Sequence, residues 1–207
     1  MHEKMGFFNR SLLALSIAAL SAAYVPAAHA QDSVPNDPLF PEQWNLAPAS
    51  QQGTGWIDAY NYLENRNSLY SPVVVAVLDA GINPHPDLPA DALWTNPDEI
   101  PHNQLDDDHN GYVDDVHGCS FLPYQPEGCA DLSDNSYSQH GMTVTGIMAQ
   151  ESDNGIGAAG SLPHLPITYI PIRIMQKEGY VNYSDIVEAL EYVTILLQRG
   201  VHVRVIN

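Results

Sequence analysis

Six consecutive apolar residues, Val73 to Leu78 (VVVAVL), lie between Ser71-Pro72 and Asp79-Ala80-Gly81. A strand with one wet face alternates apolar and polar positions, and a surface helix returns to its apolar side every three or four residues. This run does neither. Its β-branched side chains crowd a helix but suit a pleat. The run therefore predicts a strand covered on both faces, the environment of a parallel sheet layered with helices.

Later segments extend the pattern. Ile167 to Met175 (ITYIPIRIM) reads as a second strand and Val201 to Asn207 (VHVRVIN) as a third. Between the first two, a helix opens at His140 with Val144, Ile147 and Met148 at helical spacing, and the turn Asp153-Asn154-Gly155 ends it. Between the last two, Ser184 is an N-cap for a helix whose Ile186, Leu190, Val193 and Leu197 form one apolar stripe, closed by Gly200. Strands alternating with helices predict an α/β fold, a doubly wound parallel sheet with right-handed crossovers. Upstream, Asp32 to Gln52 reads as an extended arm anchored by Trp44 and Leu46, and Gly55 to Leu63 as a short helix. The expected division is a leader at 1–30, the arm and short helix at 31–70, and the sheet domain at 71–207.

The leader is read from Lys4 and Arg10, the apolar stretch Ser11 to Val25, and the small-x-small site Ala28-His29-Ala30, which together form a secretory signal pattern. An uncleaved anchor is the alternative, disfavoured by Pro26 and the cleavage site. Later apolar runs are too short to cross a membrane, so the expected product is secreted or periplasmic and free of the membrane after cleavage. The formal net charge is −18, and no Lys or Arg occurs between Arg66 and Arg173. Such a surface repels phosphate backbones and excludes nucleic acid as a partner. Cys119 and Cys129 bracket a segment containing Pro123, Pro126 and Gly128. In an exported chain they read as a disulfide, with two free thiols as the alternative.

The acidic stretch invites a hard cation. Asp106, Asp108, Asn110, the carbonyl of Tyr112, and Asp114 follow the spacing of a calcium loop, with Gly111 at the tight turn and His117 where a bidentate Glu is expected. A solvated acidic turn is the bland alternative. His85, His102, His109 and His117 share the stretch, but they lack the helical pair spacing typical of zinc. Asp79 falls at the carboxyl end of the buried strand, where open parallel sheets place functional groups. By position alone, Asp79 is as readily a turn residue, and His140 a structural histidine.

Taken in order, these segments resemble the subtilases, the subtilisin-like serine proteases. The pieces are NDPLFPEQWNL, LDAGINPHPDL, WTNPDEIPHNQLDDDHNGYVDDVHG, HGMTVTGIMAQESDNGIGAAG, and the strand IPIRIM with the helix and VHVRVIN that follow it. The resemblance implies that Asp79 orients the imidazole of His140 and that His140 is the general base towards a serine hydroxyl. It also implies a calcium site made by Asp87, Asn154 and the carbonyls of Ile156 and Ala158. Ala80 stands where the family has Ser or Thr, and Met142 and Thr143 replace the Thr and His that follow its His-Gly pair.

The family's Gly-Thr-Ser nucleophile segment and its oxyanion-hole Asn do not occur in the sequence. After His140 the serines are Ser152, Ser161 and Ser184, all in loop or cap contexts. The expectation is thus the front part of a subtilisin-like endopeptidase, an incomplete sheet whose C-terminal half is absent. It should be inactive alone and act on a polypeptide only if completed. A catalytically dead, calcium-binding interaction protein is the rival reading, and a metal-dependent hydrolase using Asp79 and His140 as ligands is a third.

Overall fold

A computed structural model of the chain describes residues 34–63, 70–123, 128–162 and 165–207. The expected leader at 1–30 lies outside the described residues. The centre is a four-stranded sheet of β1 (Val73–Asp79), β2 (Cys119–Ser120), β3 (Ile167–Arg173) and β4 (Val203–Ile206), in the order β2-β3-β1-β4. Every neighbouring pair is parallel.

Helices cover both faces. Val75, Val77 and Tyr169 pack with Ala149, Val144 and Met148 of α2 (His140–Ala149), while Ala76, Ile170 and Ile172 pack with Ala189, Tyr192, Val193 and Leu196 of α3 (Tyr183–Gln198). Consecutive residues of β1 point to opposite faces, and both faces are dry, which is why its sequence does not alternate. Burying a Val side chain contributes roughly 1.5–3 kcal/mol. A charge at Val75 or Val77 would therefore undo this layer.

Several expectations need correction. β2 was not anticipated as a strand: its two residues pair with Ile172 and Arg173 through the segment that Cys119 ties to Cys129, and that disulfide is formed. The stripe of α3 is rotated from the one expected. The buried positions are Asp185, Ala189, Tyr192, Val193 and Leu196, whereas Leu190 and Leu197 are exposed. Tyr192 is buried because its hydroxyl donates to buried Asp115 at 2.7 Å, and Ala189 because a small side chain lets the helix approach the sheet. The N-cap of α3 is Asn182, one residue ahead of the helix; Ser184 lies inside the first turn, its Oγ donating to Asp185. On α2, Val144 and Met148 face the sheet but Ile147 faces out.

Upstream, the arm is a chain of three short 3-10 turns. Leu46 anchors it beside Trp56, Ile57 and Tyr60, the last three on α1 (Trp56–Leu63), but Trp44 is 74% exposed and anchors nothing. Polar contacts do the rest: Asp37 accepts the N–H groups of Asp153 and Asn154, and the Gln43 amide exchanges two hydrogen bonds with the backbone of Ala159.

Candidate active site

Asp79 ends β1 at the carboxyl edge of the sheet, and His140 opens α2 beside it. The turn that leaves Asp79 passes Gly81 at φ +100°, a conformation that favours glycine. A Cβ on Gly141 would lie 2.1 Å from the carbonyl oxygen of Gly81. Backbone thus touches backbone, and this contact sets the first turn of α2 against the end of β1.

The imidazole Nδ1 of His140 lies 2.8 Å from each carboxylate oxygen of Asp79. An ionised carboxylate only accepts, so Nδ1 carries the proton and Nε2 of the neutral ring is the free base. The Asp79 side chain is 8% exposed and that of His140 51%, which leaves the outer part of the ring open to solvent. Among the described residues, no hydrogen bond engages Nε2.

The three departures in the motifs have local explanations. Ala80 lacks a hydroxyl, but its N–H donates to Asp79 Oδ1 at 2.7 Å. The Met142 thioether accepts the N–H of Asn83, and Thr143 Oγ1 donates back to the Gln139 carbonyl.

The chain's relatives bear on this arrangement. A family model described as the subtilase family matches residues 71–207. The chain belongs to the subtilase family. It is 31% identical to subtilisin-like protease 1 of Plasmodium vivax over 159 residues, which is 76% of this chain and 23% of that protein. It is 30% identical to an extracellular protease of Xanthomonas campestris over 165 residues, covering 75% of this chain and 25% of the relative. A structure of proteases from Pseudoalteromonas arctica aligns at 26% identity and a TM-score of 0.45, over 76% of this chain and 43% of that one. The chain therefore spans about a quarter of the length of these curated relatives.

Away from the pair, this subtilase chain gathers its acids in one loop. The carboxylates of Glu99, Asp106 and Asp108 place oxygens within 4.8 Å of one another. Asp106 accepts the N–H groups of Asn110 and Gly111, which outweigh its burial and hold its carboxyl below the usual range. Asp108 accepts from Asn96 and Asn110 and meets Arg199 at 3.2 Å. Glu99 is 6% exposed; its Oε1 accepts two backbone N–H groups and its Oε2 has no partner. Burial, reinforced by the neighbouring charges of Asp108 and Asp107, pushes the Glu99 carboxyl up.

The expected loop ligands are thus only partly brought together. Asp106, Asp108 and Asn110 share the site, and Tyr112 follows directly, its N–H on the Asn110 side chain. Asp114 turns away, to the N–H groups of Asn103 and Gln104. Glu99, from the preceding turn, was missed by sequence reasoning, because a loop-spacing pattern counts only its own residues. Asp115, also outside that pattern, is fully buried and pushed up to about 6 by burial, against the donors Tyr192, Asn110 and Asn96.

Of the second group, the side chains of Asp87 and Asn154 meet. Asp87 is fully buried and accepts N–H groups from Gln150, Asn154 and Ala158, while Ile156 donates to Asn154 Oδ1. Its carboxylate is already met by three protein donors. Among the described residues, no helix is long and apolar enough to cross a membrane.

Proposed function

We propose that this chain is the Asp- and His-bearing part of an exported subtilisin-like serine endopeptidase, with Asp79 and His140 as two members of its triad. The observation that carries the reading is the 2.8 Å approach of Nδ1 to a buried carboxylate while the rest of the ring stays open to solvent. A neutral serine hydroxyl is a poor nucleophile. A base at Nε2 removes its proton as the oxygen attacks the peptide carbonyl, and the same nitrogen then returns the proton to the departing amine. Asp79 holds the tautomer that leaves Nε2 basic and stabilises the imidazolium while it lasts.

The serine and the oxyanion donors of the family are not among these 207 residues. By the family it belongs to, polypeptide is the substrate of the completed domain, and without those groups the chain alone is inactive. Purified chain should neither hydrolyse casein nor be labelled by a serine-directed phosphonate. Steady hydrolysis by the chain, blocked by the phosphonate and indifferent to chelators, would overturn the reading.

We also propose that Glu99, Asp106 and Asp108 hold calcium, with Asn110 and the Tyr112 carbonyl as further oxygen donors. The unpartnered, buried Oε2 of Glu99 supports the fit, since such an oxygen is costly unless it meets a donor or a cation. Calcium supplies charge neutralisation there, letting the acids stay ionised close together. Asp87 with Asn154, Ile156 and Ala158 is a second calcium candidate, less apt because, unlike Glu99, it offers no unpartnered buried oxygen.

A further inference from the structure

We propose that Asp134 is a positioning residue for His140, acting through the first turn of α2; this rests on the reading of His140 as the base. The helix begins without a cap of its own. Gln139 at the N-cap is left-handed (φ 48°, ψ 47°) and makes no side-chain cap bond. The first N–H groups of a helix have no partner within it and need acceptors from elsewhere.

Those acceptors converge on one carboxylate. The Met142 N–H donates to Asp134 Oδ2 at 3.1 Å. The His140 N–H donates to Ser136 Oγ at 3.2 Å, and that hydroxyl in turn donates to Asp134 Oδ1 at 2.6 Å. Ser136 N–H reaches the same oxygen at 2.9 Å. Asp134 is 5% exposed, so its charge acts on the helix terminus with little screening.

The same residue also grips the other partner. Its backbone carbonyl accepts the side-chain amide of Asn83, in the loop that leaves Asp79, and the Asn83 N–H donates to Met142 Sδ. One buried acid thereby joins the element that carries the base to the element that carries its orienter. Because Nδ1 stands 2.8 Å from both oxygens of Asp79, a shift of a few tenths of an ångström in the helix end would favour one oxygen over the other.

The test uses the full chain uniformly labelled with ¹⁵N, reading the downfield proton resonance of His140 Nδ1–H together with backbone amide exchange. In Asp134→Asn one oxygen becomes an NH₂ donor facing N–H groups, so Ser136 or Met142 loses its acceptor. The expected result is an upfield shift or loss of the resonance and at least tenfold faster exchange at His140 and Met142, with β1 and β3 amides unchanged. Ser136→Ala keeps the Asp134 charge and its bond to Met142 but removes the hydroxyl that links Asp134 to the His140 N–H; it should give a smaller change in the same direction. It also decides the matter if Asp134→Asn does not fold. An unmoved resonance in a folded variant overturns the proposal even if exchange quickens, because Asp134 would then stabilise the helix without placing the ring. A wild-type chain without the resonance overturns the base reading, and the positioning role with it.

Discussion

Replacing Gly141 by alanine should destabilise this protein, although a helical glycine is ordinarily improved by that change. Alanine in a helix interior is favoured over glycine by about 1 kcal/mol, somewhat less in the first turn. Against this, the new methyl would sit 2.1 Å from the Gly81 carbonyl oxygen and 3.0 Å from its nitrogen. Non-bonded atoms prefer separations of about 3.5–4.0 Å, so the helix end and the turn must part by roughly 1 Å or more. Both sides of the contact are backbone, so no side chain can swing aside. Overpacking of this kind costs about 1–3 kcal/mol. Net of the helix gain, up to about 2 kcal/mol of destabilisation remains, so at about 2–4 °C per kcal/mol for a domain of this size Gly141→Ala should lower Tm by up to about 8 °C in a circular-dichroism melt. Gly146, in the same helix, is the internal control. Its added methyl would meet only the Gln150 side chain, at 3.5 Å, so Gly146→Ala should raise Tm by about 1–4 °C. A Gly141→Ala protein that melts at or above wild type would refute the close approach of α2 to the Asp79 turn.

Calcium at a hundred times its Kd should stabilise the chain by about 2.7 kcal/mol. Glu99→Gln should weaken that gain, and a Tm indifferent to calcium and chelator would remove the site. Replacing Cys119 and Cys129 by serine, which opens a loop of sequence separation 10, should cost about 3 kcal/mol on the chain-entropy account; urea unfolding of oxidised and serine forms measures it. Asp115 keeps its proton in the folded state up to about pH 6 but, once unfolded, loses it near the ordinary carboxyl value of 3.8. Its contribution to stability is therefore most favourable below about pH 4 and declines as pH rises to 6, by up to about 3 kcal/mol. The difference in unfolding free energy between wild type and Asp115→Asn, measured in chelator across that window, should follow this slope. A flat difference counts against it.

The elements legible in the sequence were those whose neighbours are of one kind. β1 and β3 are surrounded by apolar matter on both faces, so a run of mainly apolar residues sufficed, whereas Asp79 and His140 were singled out by the resemblance to the subtilases and not by their positions alone. Legibility failed where a position depends on one distant partner. Tyr192 looks like a surface residue until Asp115 is placed against its hydroxyl. Glu99 looks like one acid among many until its unpaired oxygen is set beside Asp106 and Asp108. Two residues of β2 carry too little pattern to be read at all, and Trp44 misled because aromatic bulk in a proline-rich arm suggested an anchor. Asp134 owes its role to Met142 and Ser136 together, a relation that no local spacing encodes.

The pairing of β1 also sets a clock. Val73 lies beside Ile167 and Val74 beside Val203, so the central strand has no neighbour until roughly 90 further residues have been made. At about 5–20 residues per second that is about 5–20 s of synthesis. Throughout it, an uncharged, valine-rich segment of high β-propensity waits unprotected, the composition most prone to pair with other copies of itself. The run that makes the sheet's centre so stable once buried is thus the segment for which a nascent chain most needs a holding chaperone. Shortening that wait should raise soluble yield.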